Sequence, residues 1–390
     1  MEEEDARAEL EQRAREEREA EEAKREKELR DDKIREHMLR IFTGMEDVKI
    51  HRVQRNASLL KELEEQEQMR KRPLKYAELP DSLKAQFIGI REPGLHVGLE
   101  GDDIVFAVRI RPWGSFSDKK RDRIQDKLAI IMDYSRCSLP IKNNGSQNAS
   151  SHGIRNGKDA FKAFGSMFAI GWHASMELGK TVVSYATAKS LVAQERLEGL
   201  LPRLPEVAQL YREGFCSLFP GAYERMSEEA NSRDIAEWSD ILFDGTDPKH
   251  PFANALVATN NDFCNFLHVD KDEIELAYGM WWAGILDPNT DSWRFDENID
   301  HSNISGGQFI WGEYGIMVDF ERSAGLVDIF WRGKKDQHST MQSSTPKGMA
   351  RFGTSVQITA RGAGAFRRFW EMDESKRRSA LTTMHDRLAS

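Results

Sequence analysis

A histidine and an aspartate lie two residues apart in the segment Asn265-Phe266-Leu267-His268-Val269-Asp270. Side chains two apart on a β-strand point to the same side, so His268 and Asp270 can bind one metal ion from one strand. A His-x-Asp pair is common by chance, and a third ligand from another strand is therefore needed. The histidines downstream of the pair are His301, His338 and His385.

His338 is the favoured third ligand, because it follows the apolar strand-like run Leu326–Trp331 across a short polar turn. Two histidines and one carboxylate on one side of an iron ion leave three open positions, which is the geometry of non-haem Fe(II) oxygenases. Two of these positions take the keto acid of 2-oxoglutarate and the third takes O₂. His301 stays open as an alternative ligand.

Arg351 stands thirteen residues after His338, directly before another strand-like run. The distal carboxylate of a bound 2-oxoglutarate is buried and needs a permanent cation, which the planar fork of an arginine supplies in bidentate form. We predict that Arg351 binds it, with Arg361 as the alternative. Asn265 and Ser355 are candidates for hydrogen bonds to the co-substrate; alternatively, the backbone satisfies these strand-end polar groups.

The elements that position these side chains can be predicted from periodicity. After residue 250, short runs of β-forming residues are separated by Gly, Asn and Asp, which indicates a sandwich or barrel. These runs are Ala255–Thr259, Asn265–Val269, Met280–Leu286, Gln308–Trp311, Ile316–Phe320, Val327–Trp331 and Phe352–Thr359. Before them we predict a strand over Ile104–Arg111 and helices over Asp118–Tyr134, 185–200 and 205–230.

Residues 1–72 are predicted to form a charged helical extension. Residues 1–40 hold 16 acidic and 11 basic side chains and almost no large apolar ones, so we expect them to be dispensable for catalysis. The rest of the chain is predicted to be one catalytic unit. Its parts are a helical and basic stretch over 73–250, the β core over 251–362 and a C-terminal helix over 363–390.

Composition excludes several classes of protein. The net charge of −9 does not indicate a nucleic-acid partner, and the three separated cysteines argue against a thiolate zinc site and a disulfide framework. The N-terminus is acidic and lacks an apolar run, and no apolar stretch reaches the roughly 18 residues of a membrane span. We therefore expect a soluble intracellular protein without a signal peptide.

The order of these motifs resembles that of a known superfamily. His268-x-Asp270, the turn Gly306-Gly307-Gln308-Phe309, an apolar strand, His338 and then Arg351 is the order found in double-stranded β-helix 2-oxoglutarate oxygenases. The region 160–360 is similar to the TET/JBP group of nucleic-acid base oxygenases, in particular its compact fungal members. The resemblance implies an α+β fold with a double-stranded β-helix (jelly-roll) core buttressed by helices, and it implies Fe(II), 2-oxoglutarate and O₂.

The same resemblance implies a substrate. TET/JBP-like enzymes oxidise 5-methylcytosine in DNA to 5-hydroxymethylcytosine and further oxidised forms, which requires the base to leave the duplex. A DNA substrate would place the chain in the nucleus. Demethylation of N6-methyladenine with release of formaldehyde remains an alternative, as does an oxygenase acting on proteins or small molecules. A non-catalytic β-sandwich binding module is the alternative from another class.

Two further groups could contact DNA. The stretch His268-Val269-Asp270-Lys271-Asp272-Glu273 resembles that of AlkB-type repair enzymes, where the second aspartate touches the target base; this makes Asp272 a candidate, unless it is a solvated turn carboxylate. Residues 103–164 hold twelve basic and six acidic side chains. The basic side chains Lys119, Lys120, Arg121 and Arg123, beside a predicted loop over Asn143–Gly157, suit phosphate contacts or an ordinary solvated helix.

Two motifs carry less weight. The run Gly179-Lys180-Thr181 lacks the glycine at position 174 that a phosphate-binding loop requires. Five tryptophans are predicted to be core residues rather than platforms for a base, although one of them could line a base pocket. They are Trp172, Trp281, Trp282, Trp293 and Trp311. Protein partners cannot be predicted from the sequence.

Overall fold

The computed structural model describes residues 2–42, 48–141, 164–246, 248 and 251–389. The predicted loop Asn143–Gly157 lies outside the described residues. The helices are α1 (Glu2–Ile41), α2 (Ala57–Arg70), α3 (Asp81–Lys84), α4 (Asp118–Cys137), α5 (Leu191–Leu200), α6 (Leu204–Leu218), α7 (Pro220–Asn231), α8 (Ala360–Trp370), α9 (Glu374–Ala380) and α10 (Met384–Ala389).

The strands follow the same chain order. They are β1 (Val48–Arg52), β2 (Ile88–Ile90), β3 (Gly94–Glu100), β4 (Asp103–Arg111), β5 (Ser166–Ala174), β6 (Val182–Ser184), β7 (Ala255–Asn260), β8 (Leu276–Asp287), β9 (Ser292–Arg294), β10 (Ser305–Gly306), β11 (Phe309–Trp311), β12 (Ile316–Val318), β13 (Leu326–Arg332), β14 (His338–Thr340), β15 (Ser343–Ser344), β16 (Met349–Gln357) and β17 (Leu381–Thr382).

Two sheets form the core of the molecule. The major sheet has the order β1-β3-β4-β13-β8-β16-β7-β5-β6-β17, with β9 paired to β8, and the minor sheet has the order β14-β11-β12-β2. The aromatic side chains Phe309, Trp281 and Trp331 pack between the two sheets. On the other face of the major sheet, Trp282 and Phe352 stack with ring centroids 5.7 Å apart in the cluster that the helices cover. The predicted jelly-roll core buttressed by helices is confirmed.

The two-residue period of β-strands separates these two layers. Along β16, Phe352 and Val356 join the helix-covered cluster, whereas Gly353, Ser355 and Gln357 line a cavity between the sheets. Of the five tryptophans predicted to be core residues, four pack in the interior and one lines the cavity. Trp172, Trp282 and Trp311 are fully buried, Trp293 packs edge-on against Phe352, and Trp281 lines the cavity.

The predicted strand Asn265–Val269 is wrong. Its backbone pairs with β14 through an isolated bridge between His268 and His338 rather than through a continuous ladder. A continuous ladder with β14 does not form, because the side-chain oxygen of Asn265 accepts the N–H of Thr340 and the carboxyl group of Glu67 accepts the N–H of Leu267. The segment that carries the His-x-Asp pair is therefore held largely by side chains.

The predicted C-terminal helix is wrong in its extent. Helix α8 begins three residues earlier than predicted and ends at Trp370, and the chain then forms α9, the short strand β17 and α10. Strand β17 pairs in parallel with β6, so this part of the chain extends the major sheet.

The N-terminal segment reaches the core. Side chains over 15–26 of α1 are exposed, but Met38 and Phe42 at its end are buried. Strand β1 pairs in parallel with β3, and Leu59 and Leu63 of α2 pack against residues of the minor sheet. Strands from both sides of residue 250 share the major sheet, and the domain boundaries at 72, 250 and 362 stay predictions. Among the described helices, none combines the length and the hydropathy needed to cross a bilayer.

Candidate metal and co-substrate site

The structure brings His268, Asp270 and His338 together. One ligand atom from each of the three side chains lies within 4.8 Å of the others. Asp270 Oδ1 is 3.4 Å from His268 Nε2, and its Oδ2 is 3.3 Å from His338 Nε2. Backbone hydrogen bonds fix this arrangement, because His268 and His338 each donate an N–H to the other's carbonyl and Asp270 donates to Gly333.

The hydrogen bonds behind the two imidazoles fit a metal site. His268 Nδ1 donates to the carbonyl of Phe266 at 2.8 Å, and His338 Nδ1 donates to the carbonyl of Asp336 at 2.9 Å. Each Nε2 then faces Asp270 and, once it has lost its proton, is the nitrogen with which the ring can bind a metal ion. Burial alone would raise the pKa of Asp270, but the two imidazoles hold that pKa well below its usual range. Two imidazoles and one carboxylate are a donor set for Fe(II).

A cavity that is open to solvent lies beside the three side chains. Three residues of β16 that are spaced two apart, Gly353, Ser355 and Gln357, line it. An adjoining recess is lined by Arg351, the next inward residue of the same strand. Because a strand rises about 3.3 Å per residue, Arg351 and Gln357 lie roughly 20 Å apart at opposite ends of this space.

Arg351 is held rigidly at the inner end. Its guanidinium donates to the carbonyls of Gly306, His301 and Ile304 at 2.6, 3.0 and 3.0 Å, and Nε donates to His301 Nδ1 at 3.2 Å. Burial lowers the pKa of Arg351 to about 10, so the group is charged at neutral pH. No carboxylate of the described residues forms an ion pair with it. The charge is therefore available to an anionic ligand.

With respect to the described residues, Arg351 has one free N–H group, whereas the predicted bidentate contact with a carboxylate needs two. Four of its five N–H groups have acceptors, which leaves one on Nη1. Gly307 permits a ligand to approach there, because a Cβ at that position would collide with Nη1. The hydroxyl of Thr340 lines the same recess and can supply a further donor, whereas the hydroxyl of Ser343 donates to Asp262 at 2.7 Å. A carboxylate at this end would thus be shared between the guanidinium and the Thr340 hydroxyl.

The alternative residues lie elsewhere. His301 is fully buried under Arg351 and stands apart from the group of His268, Asp270 and His338, so its position favours a role in orienting the guanidinium. Arg361 is exposed in the first turn of α8, where it contacts the sulfur of Met176.

Of the remaining predicted polar residues, two line the cavity and one does not. Asn265 and Ser355 line the cavity; the oxygen of Asn265 is used by the Thr340 N–H, and Ser355 donates to Gln357 at 3.2 Å. Asp272 is buried and outside the cavity lining, so the solvated-turn interpretation is wrong. Burial and the charge of Asp270 together raise the pKa of Asp272 well above its usual range.

The predicted basic patch is remote from the cavity. Helix α4 packs in the cluster on the outer face of the major sheet, and its first turn follows Arg111, which pairs with Leu326 at the start of β13. Asp270 contacts Gly333, just after the other end of β13, which is roughly 20 Å away at the rise of a strand. The patch also has partners of its own. Arg121 pairs with Asp118, Arg123 with Glu213, and Lys120 lies over the ring of Phe116.

A network that the sequence did not reveal holds the turn before His338. Arg55 forms ion pairs with Glu313 and with Asp336, the latter at 2.7 Å. Glu313 also accepts the N–H of Gln337 at 2.8 Å, and Arg332 donates twice to Asp336. The carbonyl that orients His338 belongs to Asp336, so this network sets the direction of one imidazole.

Glu67 of α2 plays the same part for the other imidazole. It is buried and accepts the N–H of Leu267 with both carboxyl oxygens, at 3.1 and 3.2 Å. Leu267 directly precedes His268, so helix α2 holds the His-x-Asp segment. One sequence signal points to it, because Glu67 continues the four-residue spacing of the buried Leu59 and Leu63 on one face of α2.

We expect replacement of His268, Asp270 or His338 by Ala to weaken Fe(II) binding by more than the roughly 10–100-fold that loss of an outer-shell partner costs. Two remaining ligands hold the ion poorly. Anaerobic titration calorimetry measures this, with His385→Ala as a control at an exposed histidine. Normal binding by His338→Ala together with loss of binding in His301→Ala would assign the third ligand to His301.

Arg351→Lys should weaken 2-oxoglutarate binding about 10–100-fold, because a compact ammonium cannot reproduce the anchored guanidinium and a charged hydrogen bond is worth roughly 1.5–3 kcal/mol. Titration of the Fe(II)-loaded protein with 2-oxoglutarate gives the affinity. Arg361→Lys is the matched control and should bind 2-oxoglutarate normally. The reverse pattern would identify Arg361 as the residue that holds the co-substrate.

The stability of the protein should depend on pH through Glu67. Burial raises the pKa of its carboxyl from 4.5 to about 8. The folded chain thus keeps a proton that the unfolded chain loses, and stability falls by about 1.4 kcal/mol per pH unit between those values. Glu67→Gln should remove this slope in denaturant titrations, while Glu62→Gln on the exposed face of α2 should keep it. Parallel pH profiles for wild type and Glu67→Gln would contradict the assignment.

Comparison with known protein families agrees with this geometry. A profile of the Tet-like 2OG-Fe(II) oxygenase superfamily matches residues 117–343. The match spans more than half of the 390 residues and includes His268, Asp270 and His338. No curated protein is similar enough in sequence to be matched to the chain. The extent of the match establishes that the chain belongs to the Tet-like 2OG-Fe(II) oxygenase superfamily.

Proposed function

We propose that this oxygenase acts on methylated bases in DNA, converting 5-methylcytosine to 5-hydroxymethylcytosine and further oxidised forms. One observation carries the proposal. The cavity continues past the three metal-binding candidates, away from Arg351, into a part lined by both apolar and hydrogen-bonding side chains. This division leaves the Arg351 recess for 2-oxoglutarate and a separate compartment for the molecule that is oxidised.

The outer compartment suits a planar heterocycle that carries a methyl group. Val257, the register partner of Ser355 on β7, offers apolar surface for the face of a ring, and Ser355 and Gln357 offer a hydroxyl and an amide for its polar edge. An amide can donate and accept at once, as the pairing edge of cytosine requires. Membership of a Tet-like superfamily supports the same substrate class.

The donor set leads us to propose that His268, Asp270 and His338 hold Fe(II), which would supply the activation of O₂. The carbonyls of Phe266 and Asp336 fix the imidazole rings through their Nδ1 hydrogens. In the recess, Arg351 would orient 2-oxoglutarate with its keto acid towards these ligands.

Three aromatic side chains that line the cavity, Trp281, Phe309 and Trp331, would exclude water from the reacting groups. Each round consumes one O₂ and one 2-oxoglutarate and releases succinate and CO₂, while one oxygen atom enters a methyl C–H bond. Repeated rounds on the same carbon give the more oxidised bases.

Incubation with Fe(II), 2-oxoglutarate and a duplex containing 5-methylcytosine should yield 5-hydroxymethylcytosine, detected by mass spectrometry of nucleosides. Gln357→Ala should lower kcat/KM about 10–100-fold, because a good base contact is worth about 1–3 kcal/mol. Gln209→Ala, at an exposed position of α6, is the control. Release of formaldehyde from N6-methyladenine with 5-methylcytosine unchanged would assign the other base, and inactivity on all methylated DNA would reject a DNA substrate.

A further inference from the structure

The open end of the cavity is bordered by segments that extend past the paired strands. Strand β5 pairs with β7 as far as Gly171 and Ala255, and β7 pairs with β16 as far as Ala255 and Gln357. The chain after Gly171 therefore projects beyond the level of Gln357 as a hairpin of β5 and β6. The chain after Gln357 leads directly into α8, so both segments rise beside the substrate compartment.

The tip of this hairpin is apolar and exposed. Met176 is 85% exposed, and Leu178 is fully exposed. The hairpin that carries them is braced by His173 stacked on Tyr185, with ring centroids 4.0 Å apart and planes 24° from parallel. Two large apolar side chains are thus presented to solvent on a short ordered hairpin next to the opening.

Three exposed cations lie at the same end. Lys271 follows Asp270 directly, and Lys334 follows Gly333, where a Cβ would touch the Asp270 carboxylate. Arg361 stands two residues after Thr359, which forms a β-bridge with Asp272, just after the His268-x-Asp270 pair. Within the part of the chain that the structure describes, none of the three has a carboxylate oxygen within 4.0 Å.

These charges matter because the protein as a whole carries a net charge of −9. Acidic chains repel polyanions except where uncompensated cations are concentrated. Three such cations stand around one opening. Each lies within two residues of the segment 268–272 or of a residue whose backbone pairs with that segment. The charge pattern fits a partner with regularly spaced negative charges that reaches into the cavity.

We propose that duplex DNA docks on this rim surface, defined as Lys271, Lys334, Arg361, Met176 and Leu178. The three cations contact phosphates on both sides of the target nucleotide, and the apolar tip packs into the base stack where that nucleotide leaves it. Apolar side chains at such positions offset part of the cost of unstacking. This inference rests on the proposed DNA substrate, and it moves the phosphate contacts from the start of α4 to the opposite end of the sheet.

The cationic part is tested by the triple variant K271Q/K334Q/R361Q. Fluorescence anisotropy of a labelled methylated duplex at several salt concentrations gives the slope of log affinity against log salt. The triple variant should lose about three units of slope, roughly one for each phosphate contact. The matched control K119Q/K120Q/R121Q/R123Q, on the remote patch of α4, should keep the wild-type slope. The opposite result for the two variants would overturn the rim surface.

The apolar tip is tested by M176S/L178S. Oxidation of one methylated sequence is compared as a duplex and as a single strand. The variant should lose about tenfold in kcat/KM on the duplex and nothing on the single strand, because only the duplex has a stack to open. L191S/V192S, at exposed apolar residues that begin α5, should behave as wild type on both. Equal losses on both substrates, or none, would overturn the role of the tip.

The two levels of the proposal fail differently. If the wild type oxidises methylated DNA while both rim variants bind and react like it, the rim surface is wrong and the proposed substrate stands. If the wild type neither binds nor oxidises methylated DNA, the proposed function is wrong, and the rim surface is rejected with it.

Discussion

The mutual backbone hydrogen bonds of His268 and His338 are the interaction on which the site depends. With N···O distances of 3.1 and 3.0 Å, they bring two segments that are 70 residues apart in the chain into register and place the imidazole rings 4.6 Å apart. The bridge itself is isolated, and of the two segments that it joins only β14 belongs to a ladder, through its pairing with β11. Side chains from the N-terminal segment give further support, the buried Glu67 on one side and Arg55 on the other.

A second constraint orders the rest of the cavity. Alternation along β16 sends every second side chain inward, so one straight strand presents a guanidinium, a glycine, a hydroxyl and an amide in sequence. The deep end carries a fixed positive charge, and the open end carries neutral hydrogen-bonding groups. This order distinguishes the Arg351 recess from the outer compartment, because the groups at each end select a ligand by charge and polarity.

Much of this could be predicted from residue types and spacing. Metal and anion binding restrict the usable side chains so strongly that the sequence alone selects His268, Asp270, His338 and Arg351, and the fold places them together or in the adjoining recess. The lack of a regular strand over 265–269 could not be predicted, because the side-chain oxygen of Asn265 accepts the hydrogen bond of Thr340 that a backbone carbonyl would accept in a ladder. Nor does a count of charges reveal which face of a sheet carries them, and the α4 patch lies on the outer face.

The contacts of Arg55 and Glu67 span 281 and 200 residues of the chain. At a synthesis rate of about 5–20 residues per second, their partners leave the ribosome roughly 10–60 seconds after them. During that interval Arg55 and Glu67 lack these partners. The exposed charged side chains of α2, among them Lys61, Glu62 and Glu65, suit contact with water. The bracing contacts of the candidate iron site therefore form only after these distant partners have been synthesised.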